Sequence, residues 1–132
     1  MLDFDTTFMR KFITFNKQIN IYLNHFPKSE KYALSQSIRV DLYKVFDLII
    51  EGQKRYHKKT TLTDLDISFD RLKAKLLLAY HLGYFSFKDG KTDDKNPMTI
   101  AEKRYSTISL MASELGKFIG SWIKKIKEEN KW

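Results

Sequence analysis

Apolar residues recur at the three- and four-residue steps of an α-helix in four separate stretches of this chain. In the first, residues 3–25, Phe4, Phe8, Phe12, Phe15, Ile19, Tyr22 and Phe26 form a near-heptad seam unusually rich in phenylalanine, which reads as packed core. Asn24, His25 and Pro27 mark its end. In the second, residues 28–57, Leu34, Ile38, Leu42, Val45 and Ile49 define one face, and Tyr43, Phe46 and Ile50 widen it enough to meet two neighbours. Pro27 suits a first-turn position, where its missing N–H costs nothing, and Glu30 suits the positive end of the helix dipole. In the third, residues 62–83, the face is Leu65, Phe69, Leu72, Leu76, Ala79 and Leu82, with Thr61 or Thr63 placed to cap it. In the fourth, residues 98–128, Tyr105, Ile108, Ala112, Leu115, Ile119, Trp122 and Ile126 keep a clean heptad. Gly116 and Gly120 lie one turn apart beside that seam and next to Trp122. Each glycine costs a helix about 1 kcal/mol against alanine, so the spacing predicts a packing role, with another backbone approaching closely. Residues 84–97 read as a connection with turn signals at Asp89-Gly90 and Asn96-Pro97, and the basic tail after residue 124 as a fraying end.

Four amphipathic helices joined by short or moderate connections predict an all-α fold, an up-down-up-down antiparallel four-helix bundle, with residues 1–132 as one domain. The chain holds 42% hydrophobic residues, enough for a core, and no cysteine, which removes disulfides and thiolate chemistry and is compatible with a reducing cytoplasm. No stretch approaches the roughly 18 apolar residues of a membrane span, and the first dozen residues do not read as a signal peptide.

Catalytic chemistry finds little support. His25, His57 and His81 have no metal-binding spacing to one another. Asp64 and Asp66 sit two apart on a helix and face different ways, while Asp93 and Asp94 fall in a loop. A helical-bundle ribonuclease would place an arginine four to six residues before a histidine; Arg55 precedes His57 by two and Arg71 precedes His81 by ten. The expectation is a protein without catalytic residues, metal or cofactor.

Charge carries more. The net charge of +8 favours a polyanionic partner. Lys54, Arg55, Lys58 and Lys59 cluster at the end of the second helix, and Lys124, Lys125 and Lys127 at the end of the fourth, which an up-down bundle brings to one pole. Such a pole suits phosphate contacts, and Tyr56 and Trp132 are nearby rings for base stacking. The competing account is that these cations only satisfy helix C-terminal dipoles.

Three stretches, FPKSEKYALSQSIR (26–39), KKTTLTDLDISFDRLKAKLLLAY (58–80) and ELGKFIGSWIKK (114–125), resemble the accessory variability determinant (Avd) proteins of diversity-generating retroelements. The most specific pieces are Phe26-Pro27-Lys28-x-Glu30 and Glu114-x-Gly116-x-x-x-Gly120-x-Trp122-Ile123; Ser121 stands where the family often has a second glycine. The wider group includes four-helix bundles encoded within ribosomal RNA intervening sequences. The resemblance implies a basic, pentameric, non-catalytic accessory subunit that binds a reverse transcriptase and template RNA or DNA to support mutagenic cDNA synthesis and retrohoming. The alternative is a stand-alone RNA-binding or structural bundle of the intervening-sequence type. The contacts are expected among Lys28, Lys31, Arg39, Lys54, Arg55, Lys58, Lys59, Arg71, Lys73, Lys75, Arg104, Lys124 and Lys125.

Overall fold

The structure is a computed structural model and describes residues 6–91, 96–130 and 132. Four helices carry it: α1 (Thr7–Leu23), α2 (Leu34–Lys54), α3 (Lys59–His81) and α4 (Pro97–Glu128), with no strand among the described residues. α1 lies against α2 and α4, and α3 against α2 and α4; the α2–α3 pair packs most closely. The result is an all-α four-helix bundle. Phe4, the first residue of the proposed seam, lies outside the described residues.

The helix ends explain where the sequence boundaries shift. The Thr6 hydroxyl accepts the Met9 N–H at 3.1 Å and starts α1. The second helix does not begin at Lys28. Pro27 instead opens a 3-10 turn over Lys28–Glu30, and Ala33, at φ −123° and ψ −108°, leaves helical geometry. α2 therefore starts six residues later than expected, and the Glu30 carboxylate accepts the Leu34 N–H at 2.9 Å in place of an ordinary cap. α3 starts at Lys59, before either threonine: Thr61 is buried inside the first turn, Thr63 is exposed beyond it, and neither caps the helix. Past α3, Gly83 takes φ +81°, the Gly83 N–H reaches the Tyr80 carbonyl and the Tyr84 N–H the Ala79 carbonyl, both at 3.0 Å. This paired closure requires left-handed backbone, which glycine adopts without a Cβ penalty. Asn96 caps α4 through its side chain, which accepts the Met98 N–H at 2.8 Å, and Pro97 follows at the first turn.

The core is the set of seams meeting. Phe12, Phe15 and Ile19 of α1, Ile38, Leu42, Val45 and Ile49 of α2, Leu65, Phe69 and Leu72 of α3, and Ile108, Leu115 and Ile119 of α4 are all buried. Met9 and Leu23 join them, whereas Leu82, just past the end of α3, and Tyr43, at the start of the second row of α2, are about half exposed; Phe46 and Ile50 of that row pack against the core. Phe85, within the segment read as a mere connection, is 0% exposed. It plugs one end of the bundle, edge-on to Tyr22 and Phe26 at 5.6 and 5.3 Å. At the far end Trp132 packs back on the core, so the tail does not simply fray.

The glycines of α4 and α2 sit in different surroundings. A Cβ on Gly120 would meet nothing within 4 Å, and one on Gly116 only the Phe69 ring at 3.9 Å, so among the described residues no backbone of another helix comes that close to either. The tight position is Gly52, where a Cβ would lie 2.7 Å from the Trp122 ring and 3.1 Å from Leu62. Trp122 does have its packing role, but on α2's glycine and, edge-on at 6.2 Å, on Phe8.

Candidate functional site

Trp122 joins the ends of two helices. Its ring covers Gly52 near the end of α2, close to Leu62 at the start of α3, while Phe8 stacks on Phe118 at 5.4 Å beside it. The cations that follow α2 and those that close α4 therefore share one end of the bundle.

Their states differ. Lys54 is the exposed last residue of α2, Lys59 the exposed first residue of α3, and Lys124 and Lys125 stand exposed on α4. Arg55 is tied to Glu51 at 2.7 Å, one turn back. Lys58 folds back so that its ammonium donates to the carbonyls of Gly52 and Arg55, satisfying α2's last turn as a C-terminal cation does. The dipole account thus holds for Lys58 and leaves Lys54, Lys59, Lys124 and Lys125 to face solvent. Tyr56 is 68% exposed and meets His57 edge-on at 4.8 Å. Lys127 lies 4.8 Å over Trp132.

The remaining candidates disperse. Lys75 sits 2.6 Å from the buried Asp41 carboxylate, off the line of a directed hydrogen bond, and pins α3 to α2 as an ion pair. Lys73 pairs with Asp70 at 3.2 Å and covers the Phe69 ring at 5.3 Å, while Arg71 is exposed on another face of α3.

Arg104 is the clearest correction. It is 7% exposed and cannot present its charge to a phosphate. Its guanidinium donates to the carbonyls of Phe85 and Phe87 at 2.9 and 2.6 Å, pairs with Asp89 at 3.2 Å, and lies 3.7 Å over the Phe87 ring. His25 stacks on the same ring at 4.5 Å and nearly parallel, 5°. Arg104 is therefore the anchor that holds segment 84–89 over the end of the bundle. Burial also pushes the Tyr22 phenol up, opposed by the charge of Arg104 and by a hydrogen bond with Thr107. Sequence alone offered one sign of this anchor: Tyr84, Phe85 and Phe87 put three rings into four residues of a supposed loop.

Lys28, Lys31 and Arg39 gather elsewhere, around a cavity of about 470 Å³ between the end of α1 and the 3-10 turn. Among the described residues no group of three or more His, Asp or Glu could hold a metal ion, and no helix is long and apolar enough to cross a membrane.

A family model described as bAvd-like matches residues 7–126, nearly the whole chain. Comparisons with curated proteins and with solved structures give no match.

Proposed function

Because the chain belongs to the bAvd-like family of accessory variability determinants, we propose that it is a non-catalytic accessory subunit of a diversity-generating retroelement reverse transcriptase. In this role it binds the transcriptase and template RNA or DNA through basic surfaces, and supports mutagenic cDNA synthesis and retrohoming in the cytoplasm. The family match over residues 7–126 is the observation that carries this reading. The chemistry agrees with it: four solvent-facing lysines, Lys54, Lys59, Lys124 and Lys125, stand at one end of a chain with net charge +8. An up-down-up-down course of the helices underlies that placement. It is supported by pairs that bring the first half of one helix against the last half of a neighbour: Phe12 with Phe46, Leu62 with Gly52, Tyr105 with Tyr80, and Phe8 with Phe118. The active form is a pentamer, and the open side of Gly120 offers the close approach to a second copy that no helix of the same chain makes.

The test is cDNA synthesis by the neighbouring reverse transcriptase on its own template RNA, with and without this protein. Full-length cDNA only in its presence supports the accessory role. Equal cDNA in both, with no co-elution with the transcriptase, removes that role and leaves a stand-alone RNA-binding bundle.

A further inference from the structure

Lys28, Lys31 and Arg39 do not belong to the Trp122 end. They line a cavity together with Phe26 and Pro27, and no acidic residue among the described residues lines it. Arg39 is set by two neutral groups: its Nε donates to the Asn20 side-chain oxygen at 3.0 Å and an Nη to that of Asn24 at 2.9 Å. Two amides fix the plane of the guanidinium without cancelling its charge, and a guanidinium carries five N–H donors, so further donors remain for an anion. Among the described residues no carboxylate pairs with any of the three cations. The acid closest in sequence, Glu30, has its carboxylate committed to the Leu34 N–H and the Tyr84 hydroxyl. Beside Lys31 stands Tyr32, 81% exposed, with the Lys31 ammonium 5.4 Å over its ring.

A fixed guanidinium, two exposed ammonium groups and, next in sequence to Lys31, an exposed aromatic ring are what a single-stranded nucleic acid uses: phosphates on the cations and a base on the ring. The volume falls within the range of small-ligand sites, large enough for about one nucleotide. We infer that the Arg39 cavity is a second nucleic-acid subsite, which takes one nucleotide of a single strand, its phosphate on Arg39, Lys28 and Lys31 and its base on Tyr32. The inference rests on the proposed nucleic-acid role and deepens it. An acidic protein segment could satisfy the cations but has no use for the exposed ring.

The experiment measures anisotropy of a fluorescein-labelled oligouridylate single strand and of a labelled RNA duplex with the purified protein, at two salt concentrations. Four variants are compared: Arg39→Gln, Lys28→Gln with Lys31→Gln, Tyr32→Ala, and a control with Lys54, Lys59, Lys124 and Lys125 all changed to Glu. Each of the cavity cation variants should bind the single strand about tenfold more weakly, with the salt slope reduced by about one unit for each phosphate no longer neutralised. Tyr32→Ala should lose about fivefold or more on the single strand and nothing on the duplex. Lys28 and Lys31 are exposed, so the double variant stays informative if Arg39→Gln unfolds. Wild-type single-strand binding in the cavity variants, alongside loss in the four-lysine control, overturns the subsite and leaves the proposed function standing. Failure of the wild-type protein to bind either RNA overturns both. Displacement of the single strand by poly-glutamate, with Tyr32→Ala unaffected, overturns the subsite in favour of an acidic protein segment.

Discussion

The two ends of the bundle use the same kinds of residue in opposite ways. At the Phe85 end, Arg104 is buried and commits its guanidinium to two carbonyls, a carboxylate and a ring, while Tyr22, Phe26, Tyr84, Phe85 and Phe87 pack against one another. At the Trp122 end, Lys54, Lys59, Lys124 and Lys125 reach solvent and Tyr56 stands open beside them. The difference lies in what the backbone leaves unsatisfied. Segment 84–89 crosses the bundle end in no regular structure, so its carbonyls need a buried donor, and Arg104 is within reach. At the other end α2 and α3 are joined by a short turn, and Lys58 from that turn serves the Gly52 and Arg55 carbonyls at the end of α2.

The comparison breaks most visibly if the exposed end is reversed in charge. Changing Lys54, Lys59, Lys124 and Lys125 together to Glu should weaken nucleic-acid binding on the order of a thousandfold at low salt and flatten its salt dependence, because several phosphate contacts become repulsive. The melting temperature should change little, since exposed charges contribute little to stability. An unchanged salt slope places the interface elsewhere.

The buried end should give the opposite signature. Arg104→Leu removes donors from two carbonyls and leaves Asp89 without this partner, which should cost about 3 kcal/mol in urea unfolding. The salt slope of RNA binding should stay as in the wild type. A stable Arg104→Leu protein with weakened binding would invert the assignment of the two ends.

A smaller effect separates the glycines. Gly52→Val would drive a side chain into the Trp122 ring and should cost about 2 kcal/mol. Gly120→Ala meets open space and should stabilise the isolated chain by up to about 1 kcal/mol through helix propensity. If Gly120→Ala also shifts the native mass toward monomer, the glycine serves an assembly contact.

The helical seams were legible because period 3.6 depends only on which residues face inward, and Phe12, Phe15, Ile38, Leu42, Leu65, Phe69, Ile108 and Leu115 are buried as their spacing requires. The same periodicity is silent about contacts between helices. Gly52 looks like an ordinary late-helix residue until Trp122 of α4 lies on it, while Gly116 and Gly120 advertise a close approach that no other helix among the described residues makes. Phe85 was hidden because a plug at a bundle end has no period, and Arg104 because its partners are carbonyls 17 and 19 residues away, which every residue carries. The start of α2 was misplaced because Pro27 and Glu30 serve a 3-10 turn as well as they would a helix, and only the Glu30 bonds to Leu34 and Tyr84 decide between them.

That Glu30–Tyr84 bond gives the finest distinction between the ends, because it ties the 3-10 turn to the segment leaving α3 and has no counterpart among the lysines around Trp122. The Glu30 carboxyl is held below its usual 4.5 by the Leu34 N–H first and the Tyr84 hydroxyl second. The Tyr84 phenol is held above its usual 10.0, mainly by donating to that same carboxylate. A carboxyl lowered on folding stabilises the fold above its unfolded pKa and loses that contribution as pH falls through the folded value. A phenol raised on folding stabilises the fold below its unfolded pKa and loses it as pH climbs through the folded value. The pair therefore contributes fully between about pH 4.5 and pH 10, the two unperturbed values, and decays on both sides. Tyr84→Phe removes the alkaline loss at this site and leaves only the Leu34 N–H to hold Glu30, so the acid limb becomes shallower as well. Urea midpoints of wild type and Tyr84→Phe measured across about pH 3 to 11 should differ most near neutrality and converge at both extremes. A constant offset at every pH would mean that the missing hydroxyl acts through packing alone and that the 3-10 turn is held by Phe26 and Phe85 rather than by its carboxylate.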